Sequence, residues 1–254
     1  MPEAIVTPID DGAYWRVTFS NTKGNILDRG MMGRLSQVFR DASRTPHLKA
    51  LCLEGAGRHF SFGASVQEHL PGEVESMFAA FHDLAFAMLD CEVVTMAAVR
   101  GQCLGGGLEV AILCDRLVAA PDTAFAQPEI VLGVFAPIAS IALADRVGRV
   151  NAADLCLTGR TIDAGTAHDM GLVDAIEADP AEAALSWART HFGPRSASSL
   201  RHAVRAVRSN LTARLRAELP LLEQQYLKQL MSTADAVEGL TAFIDKRPAE
   251  WRHA

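Results

Sequence analysis

The chain has 254 residues, 49% of them apolar and 21% charged, with a net charge of −6. That is ample for one large globular body with a full core, and the acidic balance argues against nucleic acid as a partner. No run reaches membrane-spanning length, the N-terminus Met1-Pro2-Glu3-Ala4 carries no basic and apolar leader, and five cysteines form no C-x-x-C pair. The expectation is a cytoplasmic protein with reduced core thiols, no disulfides and no membrane partner.

Taken in order, Ile5 to Ile9 and Tyr14 to Phe19 read as a β-hairpin across Asp10-Asp11-Gly12-Ala13. A polar loop, Asn21 to Asn25, leads to a helix capped by Asp28, whose apolar stripe is Met31, Met32, Leu35, Val38, Phe39 and Ala42. Leu48 to Leu53 is the next strand. The two glycines of Gly55-Ala56-Gly57 have no third partner and no acidic residue closing a βαβ unit, so a dinucleotide loop is not expected there. His59 to Val66 is a loop of small residues between bulky apolar ones, which permits close approach of backbone to a ligand. Ser61 and Ser65 lie near His59 and His69, but without a G-x-S-x-G elbow or an orienting acid they read as loop polar groups. After a turn-rich stretch, Gln67 to Gly72, an amphipathic helix runs to about Leu89.

Val93 to Val99 reads as a buried strand, Arg100 to Cys103 as a turn and Leu104 to Cys114 as a helix entered through Gly105-Gly106-Gly107. Glycines belong at a helix entry, where bare backbone lets a ligand reach unpaired N–H groups that favour negative charge. Glu109, three residues after Gly106, would share a helix face with that glycine. Asp115 to Ala120 is another strand, Ala124 to Gln127 a short extended piece, and Pro128-Glu129 a helix start. Dipole complementation alone could account for Glu129. Two carboxylates, each following a strand end, also form a candidate acid–base pair.

Downstream come helices at Ala136 to Val147, Asn151 to Leu157 and Asp163 to Met170, then a strand at Leu172 to Ile176. The tail holds four helices, near 181–191, 196–208, 212–231 and 233–245, with Pro220 kinking or dividing the third. Its arginines, Arg195 to Arg216, read as a solvated basic face. The fold class is α/β, divided into a body at 1–195 and a helical C-terminal region at 196–254.

Several of these segments resemble the crotonase, or enoyl-CoA hydratase/isomerase, superfamily. The likeness lies in Gly101 to Ala111 with its triple glycine and Glu109, in Ala124-Phe125-Ala126-Gln127-Pro128-Glu129 with Gly133, in Leu157-Thr158-Gly159-Arg160, and in Phe243 to Arg247. It implies a spiral of ββα units with a helical trimerisation region, a homotrimer or hexamer, and an acyl-CoA substrate with no separate cofactor and no metal. It also implies an oxyanion hole from the backbone N–H groups of Ala64 and Gly106, with Glu109 and Glu129 as catalytic carboxylates. Glu129 is expected to protonate carbon and Glu109 to act as base toward water. Lys23, Arg58, Phe243 and Lys246 are candidate coenzyme A contacts.

Two departures from common hydratases stand out. Ser65 follows the oxyanion alanine where many members have aspartate, and Val134-Phe135-Ala136-Pro137-Ile138 replaces a glycine-rich run. In both respects the chain is most similar to the cyclohexa-1,5-diene-1-carbonyl-CoA hydratases of anaerobic aromatic (benzoyl-CoA) degradation. A stiffer, more apolar acyl pocket is then expected, with Phe62, Ser65, Val134, Phe135, Ala136 and Pro137 as its wall. The alternatives are a general enoyl-CoA hydratase or isomerase of fatty-acid β-oxidation, a Clp-type serine hydrolase, and an RNA-binding relative, which the net charge disfavours.

Overall fold

The computed structural model describes residues 2–254. Strands β1 (Glu3–Ile9) and β2 (Tyr14–Ser20) pair antiparallel across a turn in which Asp10 and Asp11 both take positive φ, as a tight hairpin requires. Strands β3 (Ala50–Gly55), β4 (Val94–Val99), β6 (Arg116–Ala119) and β9 (Ala175–Ile176) extend this sheet in parallel, in the order β1-β2-β3-β4-β6-β9. Both β3 and β4 are buried on both faces, which explains their mainly apolar sequences, with Glu54 and Thr95 as polar exceptions. Alternate residues divide between two cores. Ala50, Cys52, Met96 and Ala98 pack under α6 (Pro180–Phe192), while Leu51, Leu53, Ala97 and Val99 face α1 (Arg29–Ser43) and α2 (Val74–Leu89).

A second, smaller sheet positions the site. Its strands are β5 (Gln102–Leu104), β7 (Ala124–Ala126) and β8 (Ile162–Asp163), and Ser61 bridges onto Cys103 at its edge. Each turn of the chain thus passes from a long strand to a short one and then into a helical turn: β4, β5 and α3 (Gly106–Ile112), then β6, β7 and a 3₁₀ turn (Pro128–Leu132). This is the expected spiral of ββα units.

Local expectations are corrected at several points. Residues 102–104 are a strand rather than part of a turn, and the helix after them is shorter than expected, because Gly105 takes φ 50°, ψ −126° and cannot be helical. The helices expected at 136–147 and 151–157 are both present as the two halves of α4 (Pro137–Thr158), which breaks at Gly148, where φ 74°, ψ 159° is not helical. Helix α5 (Ala164–Asp169) follows, and the strand after it is confined to Ala175–Ile176. Pro220 does not divide its helix: α7 (Ala197–Lys228) is continuous through it. Buried contacts on both sides of the proline hold the helix in place, since Arg208, Leu215, Leu219 and Tyr226 all face inward.

Arg208 is the anchor. Its guanidinium pairs with Asp115 at the start of β6 and donates to the carbonyls of Met88 (3.0 Å), Cys91 (2.6 Å) and Val93 (3.0 Å) and to Thr95 Oγ1 (2.9 Å). Five acceptors around one planar cation hold α7 against the body. Helix α8 (Ala234–Ile244) then adds Ala236 and Leu240 to the main core. Cys52, Cys91, Cys103 and Cys114 are buried free thiols and Cys156 a half-buried one.

Candidate active site

Three chain segments leave the small sheet side by side. Ser61 N–H donates to Gln102 (3.0 Å) and Leu104 N–H to Ser61 (3.0 Å), which aligns the loop after β3 with β5. Parallel register sets Leu104 opposite Ala126, and Gly105 N–H donates to Ala126 (2.9 Å). The segments around 61–64, 104–106 and 127–129 therefore emerge together.

Glycines make this convergence possible. A Cβ on Gly63 would lie 2.9 Å from the Leu104 carbonyl and 3.4 Å from Gly106 N, and one on Gly106 would lie 3.1 Å from Ala64 N. The neighbours of Ala64 bond to Leu27, through Leu27 N–H to Gly63 (3.0 Å) and Ser65 N–H to Leu27 (3.1 Å). Ala64 N–H is thereby turned to the opposite side, toward Gly106, which opens α3 and has no intrahelical acceptor. Neither N–H donates to a protein acceptor among the described residues. Ala64 and Gly106 thus present two adjacent free donors, an arrangement suited to a developing oxyanion.

Glu109 is buried on α3, and its Oε1 accepts the Ala139 N–H at 2.9 Å, in the first turn of α4. Burial raises its pKa above the ordinary carboxylate range, while the Ala139 and Ile138 N–H groups act in the opposite direction. Glu129 sits half-buried in the 3₁₀ turn, with Oε1 2.5 Å from where a Cβ on Gly105 would stand and Oε2 3.5 Å from Gln127 Nε2. Burial raises its pKa too, and the charge of Glu109 raises it further. Two carboxylates in unequal surroundings can hold different protonation states at one pH.

The other expected site residues fall into three groups. Val134, Ala136 and Pro137 are buried where the 3₁₀ turn runs into α4, with Phe135 half-buried beside them. Phe62 is 43% exposed, packs against Gly24 and meets the His59 ring at 4.9 Å in a tilted arrangement, so that Lys23 and Arg58, both exposed and each next to one of these contacts in sequence, flank one rim; Ser65 is half-buried nearby. Phe243 and Lys246 are exposed at the end of α8, and no hydrogen bond or ion pair among the described residues joins them to that rim. Ser61 is no nucleophile: its Oγ donates to the Asn25 carbonyl (2.8 Å) and accepts from Gly63 N–H (3.0 Å). His69 Nδ1 faces the Ser65 carbonyl rather than its hydroxyl.

Two features escaped the sequence reading. Buried Gln127 adjoins Glu129 in both sequence and space, and its place just before Pro128-Glu129 was a usable signal. Capping of Glu109 by α4 joins residues thirty apart and leaves no local pattern.

The sequence profile of the enoyl-CoA hydratase/isomerase family matches residues 12–254. Cyclohexa-1,5-dienecarbonyl-CoA hydratase of Thauera aromatica is 47% identical over 243 residues, 96% of this chain and 94% of that protein. A protein of Mycobacterium bovis named probable enoyl-CoA hydratase echA8 is 35% identical, over 90% of each chain. Among solved structures, an enoyl-CoA hydratase from Mycobacterium avium superposes with a TM-score of 0.85 at 26% identity, covering 98% of both chains. An enoyl-CoA hydratase/isomerase from Pseudoalteromonas atlantica superposes at 0.87 and 24% identity, covering 98% of this chain and 99% of that one. Spiral sheet, glycine-lined loops and near-complete sequence coverage agree, and the chain belongs to the enoyl-CoA hydratase/isomerase family as an enzyme of the hydro-lyase type.

Proposed function

We propose that the protein adds water to cyclohexa-1,5-diene-1-carbonyl-CoA, giving 6-hydroxycyclohex-1-ene-1-carbonyl-CoA, as a step of anaerobic aromatic degradation. The observation that carries hydration is the pair of free N–H groups, Ala64 and Gly106, with Glu109 on the helix that Gly106 opens and Glu129 against the preceding Gly105, two carboxylates in unequal surroundings. The acyl group rests on the likeness to the Thauera aromatica protein.

In this reading the thioester oxygen accepts from both N–H groups, each worth about 3 kcal/mol to the transition state. Water bonds to C2, the carbon β to the thioester, and the displaced electron pair passes through C1 onto the thioester oxygen. The second alkene shares that charge along C6 to C5. Protonation at C5 re-forms a double bond between C1 and C6, which is the 6-hydroxy-1-ene after renumbering. Glu109, whose ionised form is favoured by N–H donors, takes the proton from water. Glu129, held protonated to higher pH by burial and by its neighbour, delivers the proton to carbon.

Lys23 and Arg58, unpaired with any carboxylate among the described residues, are the proposed partners of the coenzyme A phosphates, with Phe243 and Lys246 as further contacts. Phe62, Ser65, Val134, Phe135, Ala136 and Pro137 are the proposed acyl wall. No helix is long and apolar enough to cross a membrane among the described residues. A cytoplasmic homotrimer or hexamer belongs to the same proposal, and exposed Val150, Leu157, Val207 and Leu221 offer apolar surface for such contacts.

Comparing kcat/KM for the cyclic dienoyl-CoA with that for crotonyl-CoA tests the assignment, with the cyclic ester expected to be preferred. The likeness to the Mycobacterium bovis protein favours an ordinary enoyl-CoA hydratase as the second reading. A clear preference for crotonyl-CoA would establish that one instead. Incorporation of labelled water into product separates both from an isomerase.

A further inference from the structure

Tyr226 lies near the end of α7, 1% exposed, and its hydroxyl has no hydrogen-bond partner among the described residues. A buried hydroxyl without a partner costs stability, and such groups are uncommon in folded proteins. Its surroundings place it at the active site. The ring meets Phe78 of α2 edge-on at 4.7 Å and Phe135 at 5.3 Å. Phe135 belongs to the short segment between the two carboxylates: Val134 N–H, just before it, donates to the Glu129 carbonyl (3.1 Å), and Ala139 N–H, just after it, holds Glu109. Tyr226 is therefore packed against a stretch of chain that is hydrogen-bonded to both the Glu129 backbone and the Glu109 carboxylate.

We propose that Tyr226 is a third polar group of the reaction site, its phenol O–H donating to the oxygen that is added to the substrate: to water in the forward direction and to the product hydroxyl in reverse. The inference rests on the hydratase reading above. Burial above all, and then the nearby charges of Glu129 and Glu109, raise the pKa of the phenol, which agrees with a hydroxyl facing the space those carboxylates share. A donor aimed at the water oxygen leaves its protons for the base and orients a lone pair toward carbon. The aromatic ring is held by neighbours on two sides, so the donor is already in place before substrate arrives.

Tyr226→Phe tests this without disturbing the packing. The expected result is a fall in kcat of about tenfold or more, with KM for the acyl-CoA changed less than about twofold. Affinity for the hydroxylated product should weaken by about fivefold, while that for cyclohex-1-ene-1-carbonyl-CoA, which lacks the hydroxyl, stays the same. Thermal unfolding should occur at an equal or higher temperature, because an unpaired buried polar atom has been removed. Wild-type kcat in the variant, or equal weakening of both esters, would show that the ring only fills space and would overturn the proposal. Absence of hydration by the wild-type protein on every enoyl-CoA would sink the hydratase reading itself, and the role of Tyr226 with it.

Discussion

Replacing Gly105 by alanine should disable the enzyme while leaving it folded. Two effects act at this position. The backbone takes φ 50°, ψ −126°, which a residue with a side chain adopts only under strain of about 1–3 kcal/mol. The added methyl would also stand 2.5 Å from Glu129 Oε1, closer than the 3.0 Å below which Cβ contacts are essentially never seen, so the carboxylate must retreat by about 0.5 Å or more. A carboxylate at the end of a flexible side chain can move away, so the clash is relieved by misplacing Glu129, the proposed proton donor, rather than by opening the core. Misplacement on the scale of an ångström costs about a hundredfold, so kcat/KM should fall by about 10- to 100-fold, equivalent to about 1.4–2.7 kcal/mol. Gly148→Ala is the control: that glycine has φ 74° but nothing within 4 Å of its would-be Cβ. Both variants should lose stability in urea unfolding, and only Gly105→Ala should lose activity. Wild-type kcat/KM in Gly105→Ala, or an equal loss in Gly148→Ala, would refute the placement of Glu129.

Glu109→Gln and Glu129→Gln should each lower hydration by at least about a hundredfold while acyl-CoA binding, followed by calorimetry, changes little; near-full activity in either folded variant removes that residue from the mechanism. The same pair sets a pH dependence of stability. Both carboxylates keep their protons in the fold to higher pH than in the unfolded chain, where they titrate near about pH 4.3, so the folded state binds the more protons above that value. Their stabilising contribution is complete in acid below the unfolded value and is lost as pH rises through the raised folded values. Melting curves from about pH 5 to about pH 8 should therefore decline more steeply for the wild type than for the double Gln variant, and parallel curves would count against the burial of this pair. Arg208→Met strips Asp115 and three carbonyls of their donor and should cost about 3–5 kcal/mol in denaturant unfolding; a loss under about 1 kcal/mol would mean that α7 is held mainly by its apolar face. Light scattering at micromolar concentration should show a trimer or a multiple of three, and a monodisperse active monomer would overturn that assignment.

Much of the fold and both carboxylates were legible in the chain alone, because their signals are local. The buried strands announce themselves as short β-branched runs, α1 by its Asp28 cap and apolar stripe, and the site loops by glycines at positions where a side chain would strike a neighbour. Glu109 and Glu129 stood out by spacing from a triple glycine and a proline within a few residues. Tertiary structure decided whatever depends on partners far along the chain. Residues 102–104 are a strand only because Ser61 and β7 lie on either side of them, and α7 runs through Pro220 because Arg208 and Tyr226 hold it on both flanks. The unequal surroundings of the two carboxylates are likewise not written beside them. They arise where the first turn of α4 reaches Glu109 and Glu109 in turn acts on Glu129, contacts that form only once the spiral has closed and that leave no periodicity in the sequence.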